Sequence, residues 1–221
     1  MHPSVRTSAP EAAVARSARA APPPSTIRGW GRLGARGREL RSDDLERATV
    51  GATLSRGLGR SYGDSSLPAS PDGTVVNTTL ADRLLAFDPD AMVLRAEAGC
   101  SLLALNRLFL PRNVFVPVTP GTQFVTLGGM VASDVHGKDH HAHGTIGRHV
   151  RALRMRVADG RIVTCSREEH SDLFFATIGG MGLTGHILDV ELTMRRIPSP
   201  WIHQTSQRVS DIDEFLDALA A

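Results

Sequence analysis

The sequence predicts an α+β fold, and three observations predict it. Short apolar runs bounded by turn residues pair off as hairpins. Helical spacing occurs only in isolated short segments, not in repeated strand–helix–strand units. Glycine is abundant, at 21 residues, and comes in clumps, where backbone can approach a ligand closely.

In chain order, residues 1–26 hold Ala, Pro, Ser and Arg with almost no large apolar side chain, so a disordered tail is expected. It lacks the apolar segment of a secretory signal and has no twin-arginine pair. Order is expected from Ile27. Residues 45–54 carry a short helix end and then a strand leading into a first glycine loop. TVVN at 74–77 reads as a short buried strand. Residues 84–87 and 92–98 flank Asp88-Pro89-Asp90 as a hairpin. Ser101 is placed to cap a helix to Leu110, with Leu102, Leu105, Leu108 and Phe109 at helical spacing. A strand is expected at 114–118, then a glycine turn and short helix at 127–133. Residues 150–157 and 161–165 flank Ala158-Asp159-Gly160 as a second hairpin. A helix at 172–178 ends at Gly179-Gly180, and HILDVELTM at 186–194 is a strand. IDEFLDALAA closes the chain as an amphipathic helix.

Bulk properties narrow the classes. Apolar content of 41% and charged content of 22% are ordinary for a globular protein. No run of eighteen apolar residues is present, so no transmembrane segment is expected. A net charge of +2 gives no reason to invoke a nucleic-acid partner. Cys100 and Cys165 are far apart and form no CxxC pair, so two reduced thiols are expected.

RGLGRSYGD at 56–64 starts like a dinucleotide fingerprint but fails it. The third glycine position falls on Tyr62, and no helix is signalled after Gly63 and Asp64. Consecutive small residues still expose N–H groups in a concave nest that suits an anion, with Ser61 as a hydroxyl donor and Arg56 and Arg60 as nearby charge. A diphosphate is the natural guest. The bland alternative is a tight turn, and for a lone glycine loop it would win. This loop is not alone. PGTQFVTLGGMVASDVHGKDHH at 120–141 offers Gly121, Thr122, Thr126, Gly128 and Gly129. GGMGLTG at 179–185 adds a third cluster. Three such clumps suit one long ligand.

These strings, together with HAHGTIGRHV and DLFFATIGGMGLTG, resemble the FAD-binding domain of the vanillyl-alcohol-oxidase (PCMH-type) flavoproteins. Within that family they are most similar to the decaprenylphosphoryl-β-D-ribose 2-oxidase type. The resemblance covers residues 27–198. It implies a PCMH-type domain of two α+β subdomains with FAD between them. It places Arg56, Gly57, Leu58, Gly59, Arg60, Ser61, Tyr62, Gly63 and Asp64 at the diphosphate. Gly121, Thr122, Thr126, Gly128, Gly129, Ser133, His136 and Gly137 fall toward the flavin and its ribityl chain, and Ile187 at a further dinucleotide contact. Arg60 and Ser133 stand where relatives with covalent flavin carry His and Cys, so noncovalent FAD is implied.

Five of the nine histidines lie at 136–149. A metal site at His136, His140 and His143 is one reading, but no Cys or carboxylate pair supports it. The resemblance instead puts His136 near the flavin and Lys138 toward substrate, the two catalytic candidates. His140 and His141 are expected to shape the loop by hydrogen bonding, and His143 and His149 to be exposed or structural.

Family members carry a second, substrate-binding domain, and residues 199–221 correspond only to its start. The expected activity is oxidation of a sugar hydroxyl to a ketone, as in cell-wall arabinan precursor formation, on a small or lipid-linked sugar. The chain alone is expected to be inactive. The alternatives are a noncatalytic FAD-binding module needing a separate substrate domain or partner reductase, and a His-rich metal-binding protein. A cytoplasmic location, or a peripheral one at the membrane, fits such a substrate.

Overall fold

The computed structural model describes residues 22–220. The tail expected at 1–26 falls mostly on residues 1–21, outside the described residues.

Two sheets carry the fold. The first subdomain contains β1 (Ser25–Arg28), β2 (Gly34–Arg41), α1 (Leu45–Ala48), β3 (Leu54–Arg56) and β4 (Thr74–Asn77). Its sheet runs β1-β2-β4-β3, with β1 antiparallel to β2 and the β2–β4 and β3–β4 pairs parallel. Among the described residues the first strand starts at Ser25, and β1 pairs with a strand the sequence does not announce. GARGRELR of β2 has almost no apolar residue. It is held by its ladder and by Glu39, which accepts from Asn77 Nδ2 at 2.7 Å. The TVVN strand buries both faces. Val75 joins a small cluster with Ile27 and Leu67, and Val76 joins the main core. A strand covered on both faces needs no polar alternation.

The second subdomain holds β5 (Leu84–Asp88), β6 (Val93–Glu97), α2 (Leu102–Phe109), β7 (Val114–Phe115), α3 (Leu127–Ala132), α4 (His140–His143), β8 (Val150–Arg156), β9 (Ile162–Ser166), α5 (Ser171–Thr177), β10 (His186–Thr193) and β11 (Arg195–Arg196). Its antiparallel sheet runs β5-β6-β10-β8-β9. Both predicted hairpins form, and β10 is inserted between them. Ser101 Oγ accepts from Ala104 N at 3.1 Å and caps α2, whose buried face is Leu102, Leu105 and Phe109. The strand expected at 114–118 shortens to Val114–Phe115, which pairs with β11. Pro117 has no N–H to extend that ladder.

The main core draws Val76, Leu94, Leu105, Met130, Leu153 and Leu192 from both subdomains. Polar contacts fix the angle between them. Asp189, buried on β10, accepts from Arg95 Nε and Arg154 Nε, each at 2.7 Å. Arg154 also reaches Glu46 on α1 at 2.7 Å, and Arg156 Nε donates to Thr49 Oγ1 at 2.9 Å. Cys100 and Cys165 are free and buried, and burial first of all pushes their thiols up to about 12 and about 11. Helix α6 (Ile212–Ala220) exposes Ile212, Phe215, Leu216 and Leu219.

Candidate functional site

The short helix α3 is the meeting point of the three glycine clusters. Its start is docked on the end of β6, with Leu127 N donating to Cys100 O and Gly128 N to Ala98 O, both at 2.8 Å. A Cβ on Gly128 would lie 2.8 Å from the Ala98 Cβ, so only glycine permits this approach. The third cluster reaches the far end of the helix: Gly179 N donates to Val131 O and Met181 N to Ala132 O. The first loop meets the helix cap. A Cβ on Gly57 would overlap Thr126 Oγ1 and Cγ2. Three segments distant in sequence thus converge on one helix.

The first loop owes its shape to an inward-turned arginine. Arg56 Nη2 donates to Arg28 O at 2.5 Å, and Nη1 donates to Ser66 O at 3.2 Å. Burial lowers its pKa, partly offset by the carboxylate of Glu39. Arg56 therefore acts as the strut of the loop. Of the two arginines expected beside the loop, Arg56 is folded beneath Gly59, and Arg60 is exposed and sits over the Trp30 ring at 4.8 Å. Gly59 has φ +67°, and a side chain there would strike the Arg56 guanidinium. Among the described residues, the N–H groups of 58–64 reach no backbone or side-chain acceptor. A run of free donors beside Ser61 fits a ligand with many anionic oxygens.

Along the site, Leu58, Arg60, Tyr62, Gly63 and Asp64 are exposed on the first loop. Gly121, Thr122, Gly129, Ser133, His136 and Lys138 are exposed on the second, with Gly137 half-buried. Ile187 is buried on β10. Behind the second loop a cavity of about 360 Å³ is lined by Leu102, Asn106, Gly121, Thr122 and Phe124. Asn106 Oδ1 is buried there without a hydrogen-bond partner.

The histidine segment departs from expectation. His140 and His141 lie on α4 and make ring-edge contacts: His136 to His140 at 5.6 Å between centroids, and His140 to His141 at 6.1 Å. Their rings make no hydrogen bond among the described residues. The hydrogen-bonding histidines are the other two. Arg195 donates to His143 Nε2 at 2.7 Å, and His149 Nε2 donates to His143 O at 3.2 Å. The segment folds around α4 and the two-residue β11, neither of which the sequence announces, and this turns His143 toward Arg195. Among the described residues, no group of three His, Cys, Asp or Glu side chains is placed to hold a metal ion. His136 pairs through its backbone with Thr145, leaving its ring at the exposed surface.

Sequence reasoning missed Trp30, under Arg60, and the His186–Ser55 pair, with Ser55 Oγ 2.8 Å from His186 Nδ1. A histidine opening a strand directly before the apolar pair Ile187-Leu188 was the signal for His186.

Comparisons with known proteins identify the family. The FAD binding domain family matches residues 35–166, more than half of the chain. Decaprenylphosphoryl-beta-D-ribose oxidase of Mycolicibacterium smegmatis is 37% identical over 165 residues, covering 74% of this chain and 35% of that protein. L-gulonolactone oxidase of Mus musculus is 29% identical over 151 residues, covering 68% and 33%. The solved structure titled "Physcomitrella patens BBE-like 1 wild-type" superposes with a TM-score of 0.62 at 22% identity, over 73% of this chain and 36% of that one, and shows the shared fold. The chain spans about a third of the length of these relatives. With the glycine clusters gathered at α3 and a family match running from β2 to β9, the chain belongs to the FAD-binding domain family, with a PCMH-type fold and FAD as its cofactor.

Proposed function

We propose that this chain is the cofactor-binding part of an FAD-dependent oxidoreductase that oxidises a sugar hydroxyl to a ketone, on a small or lipid-linked sugar. The observation that carries it is the convergence at α3: Gly57 against Thr126, and Gly179 against Val131. One extended cofactor can then touch the first loop, the second loop and β10. FAD, when bound, supplies the hydride acceptor. The chain's own groups hold and orient it. The N–H groups of 58–64 and the Ser61 hydroxyl take the diphosphate, Gly121, Thr122, Gly129, Ser133 and Gly137 the ribityl and flavin side, and Ile187 a dinucleotide contact. His136 and Lys138, exposed at the flavin end, are the candidates to meet substrate. The relatives named for oxidising a decaprenylphosphoryl-ribose and a gulonolactone support the substrate class.

The cofactor is held noncovalently. Arg60 is engaged with Trp30, and Ser133 cannot form a thioether. Acid precipitation should release all the flavin to the supernatant, and flavin fluorescence retained by the protein band on a denaturing gel would refute this. Catalysis is tested by anaerobic bleaching of the FAD-loaded chain with a lipid-phosphoryl pentose. The test is run before and after adding a separately expressed C-terminal part of a related oxidase. Bleaching only after the addition supports the reading, with the chain by itself inactive. Rapid bleaching by the chain alone would put the catalytic groups within it, at His136 and Lys138 first. No bleaching in either arm would favour a noncatalytic flavin module. No helix among the described residues is long and apolar enough to cross a membrane. A cytoplasmic or peripheral membrane location is the one proposed for a lipid-linked substrate.

A further inference from the structure

His186 is a polar residue in a strand of buried ones. It opens β10 at 8% exposure, one residue before Ile187. Its neighbour across the subdomain boundary is Ser55 on β3, one residue before Arg56 and the first glycine loop. Ser55 Oγ lies 2.8 Å from His186 Nδ1, and the Ala52 carbonyl lies 3.3 Å from Nε2. A carbonyl can only accept, so Nε2 carries the proton. In the neutral ring Nδ1 is then bare and accepts from the Ser55 hydroxyl. Of the two neutral tautomers, only this one satisfies both partners.

We infer that His186 is a positioning residue for FAD: its neutral imidazole, hydrogen-bonded to Ser55, ties the strand bearing Ile187 to the strand that launches the diphosphate loop. The two halves of the cofactor clasp are thereby held in register. This rests on the FAD reading above. The clasp connects residues 131 positions apart, so neither strand enforces it locally.

The surroundings favour the neutral ring. The charged group facing His186 is Arg156, its register partner on β8. From β3 and the turn before it come only the Ser55 hydroxyl and the Ala52 carbonyl. The His186 pKa is lowered, first by burial and then by Arg156, against the opposing hydrogen bond to Ala52. A cavity of about 300 Å³ lined by Thr49, Thr53, Arg156, Thr184 and His186 gives protons a way in. The clasp is complete above the ordinary histidine range. It weakens as pH falls below that range and through the lowered folded value: Ser55 can turn to accept from Nδ1–H, but the ring then carries a buried charge beside Arg156.

The test is FAD titration of the full chain by flavin fluorescence from pH 7.5 to 5.0, with Ser55→Ala, His186→Leu and His186→Asn. At pH 7.5, Ser55→Ala and His186→Leu should each weaken binding by about fivefold, the scale of one hydrogen bond. Wild-type affinity should fall at low pH, and the His186→Leu profile should be flat over that range. Asn carries an acceptor near the Nδ1 position, so His186→Asn should recover part of the affinity and stay flat. Nitrogen NMR of the cofactor-free wild type should show the Nε2–H tautomer of His186, a readout independent of whether any variant folds. An Nδ1–H tautomer, or wild-type affinity and an unaltered pH profile in both Ser55→Ala and His186→Leu, would overturn the inference while leaving FAD binding intact. A wild type that binds no FAD would overturn the cofactor reading and this inference with it, and that result appears before any variant is made.

Discussion

The first and second glycine loops look alike in sequence and are built on opposite principles. Residues 56–64 take their shape from conformation. Gly59 and Gly63 have φ of +67° and +65°, and the Arg56 side chain fills the space beneath. The second loop takes its shape from proximity. Gly128 and Gly137 have ordinary φ, yet a Cβ on them would press on Ala98 and on the Thr119 carbonyl, at 2.8 and 2.9 Å. Glycine at 59 and 63 permits a backbone turn, and at 128 and 137 it permits a backbone neighbour, while Gly57 marks the seam between the loops. The two kinds should fail differently when substituted.

The largest effect is expected at Gly128. Valine there overpacks α3 against the backbone of β6, and Gly128→Val should cost about 1–3 kcal/mol of stability. A lowered Tm without FAD is the check, and an unchanged Tm would dissolve the distinction between the loops. Next is the seam where they touch. Gly57→Ala should push Thr126 away and weaken FAD about tenfold, ~1.4 kcal/mol. Adding Thr126→Ala removes the overlapped Oγ1 and Cγ2 and should restore most of the affinity in a fluorescence titration. Failure of that rescue would mean the seam does not shape the site. Smaller still is Gly59→Ala, about 1 kcal/mol from the left-handed backbone. Repeating it beside Arg56→Ala separates conformation from collision. A cost that persists in the double variant is conformational, and one that vanishes belongs to Arg56. The smallest effect is Ser101→Ala, which uncaps α2 behind the second loop and should cost about 0.5–1 kcal/mol in denaturant melts, with FAD affinity little changed.

The elements legible in the sequence were those whose side chains encode their own surroundings. The hairpins around Asp88-Pro89-Asp90 and Asp159-Gly160, the Ser101 cap and the apolar stripe of α2 are all local signals. Strand β2 was silent because its stability lies in pairing with β1 and β4, not in its own apolar residues. The glycine clusters marked the candidate site, and their convergence on α3 could not be read, since it depends on contacts between residues far apart in sequence. The direction of Arg56 was equally hidden. An arginine beside an anion nest and one used as an internal strut are the same letter, and only the carbonyls of Arg28 and Ser66 decide between them.

Strand β10 also governs the order in which the molecule can be assembled. It is the last long strand of the chain and the middle strand of its sheet, between β6 and β8. Until residues 186–193 have left the ribosome, the hairpins β5–β6 and β8–β9 can form but cannot join. Each presents an open inner edge, and the Asp189 carboxylate that neutralises Arg95 and Arg154 has not arrived. A nascent chain at that stage carries two unpaired strand edges and an Arg95 without its carboxylate partner, a species prone to edge-to-edge association. Because Asp189 meets Arg95 only across 94 residues, closure of the sheet is a non-local event, of the kind that slows folding.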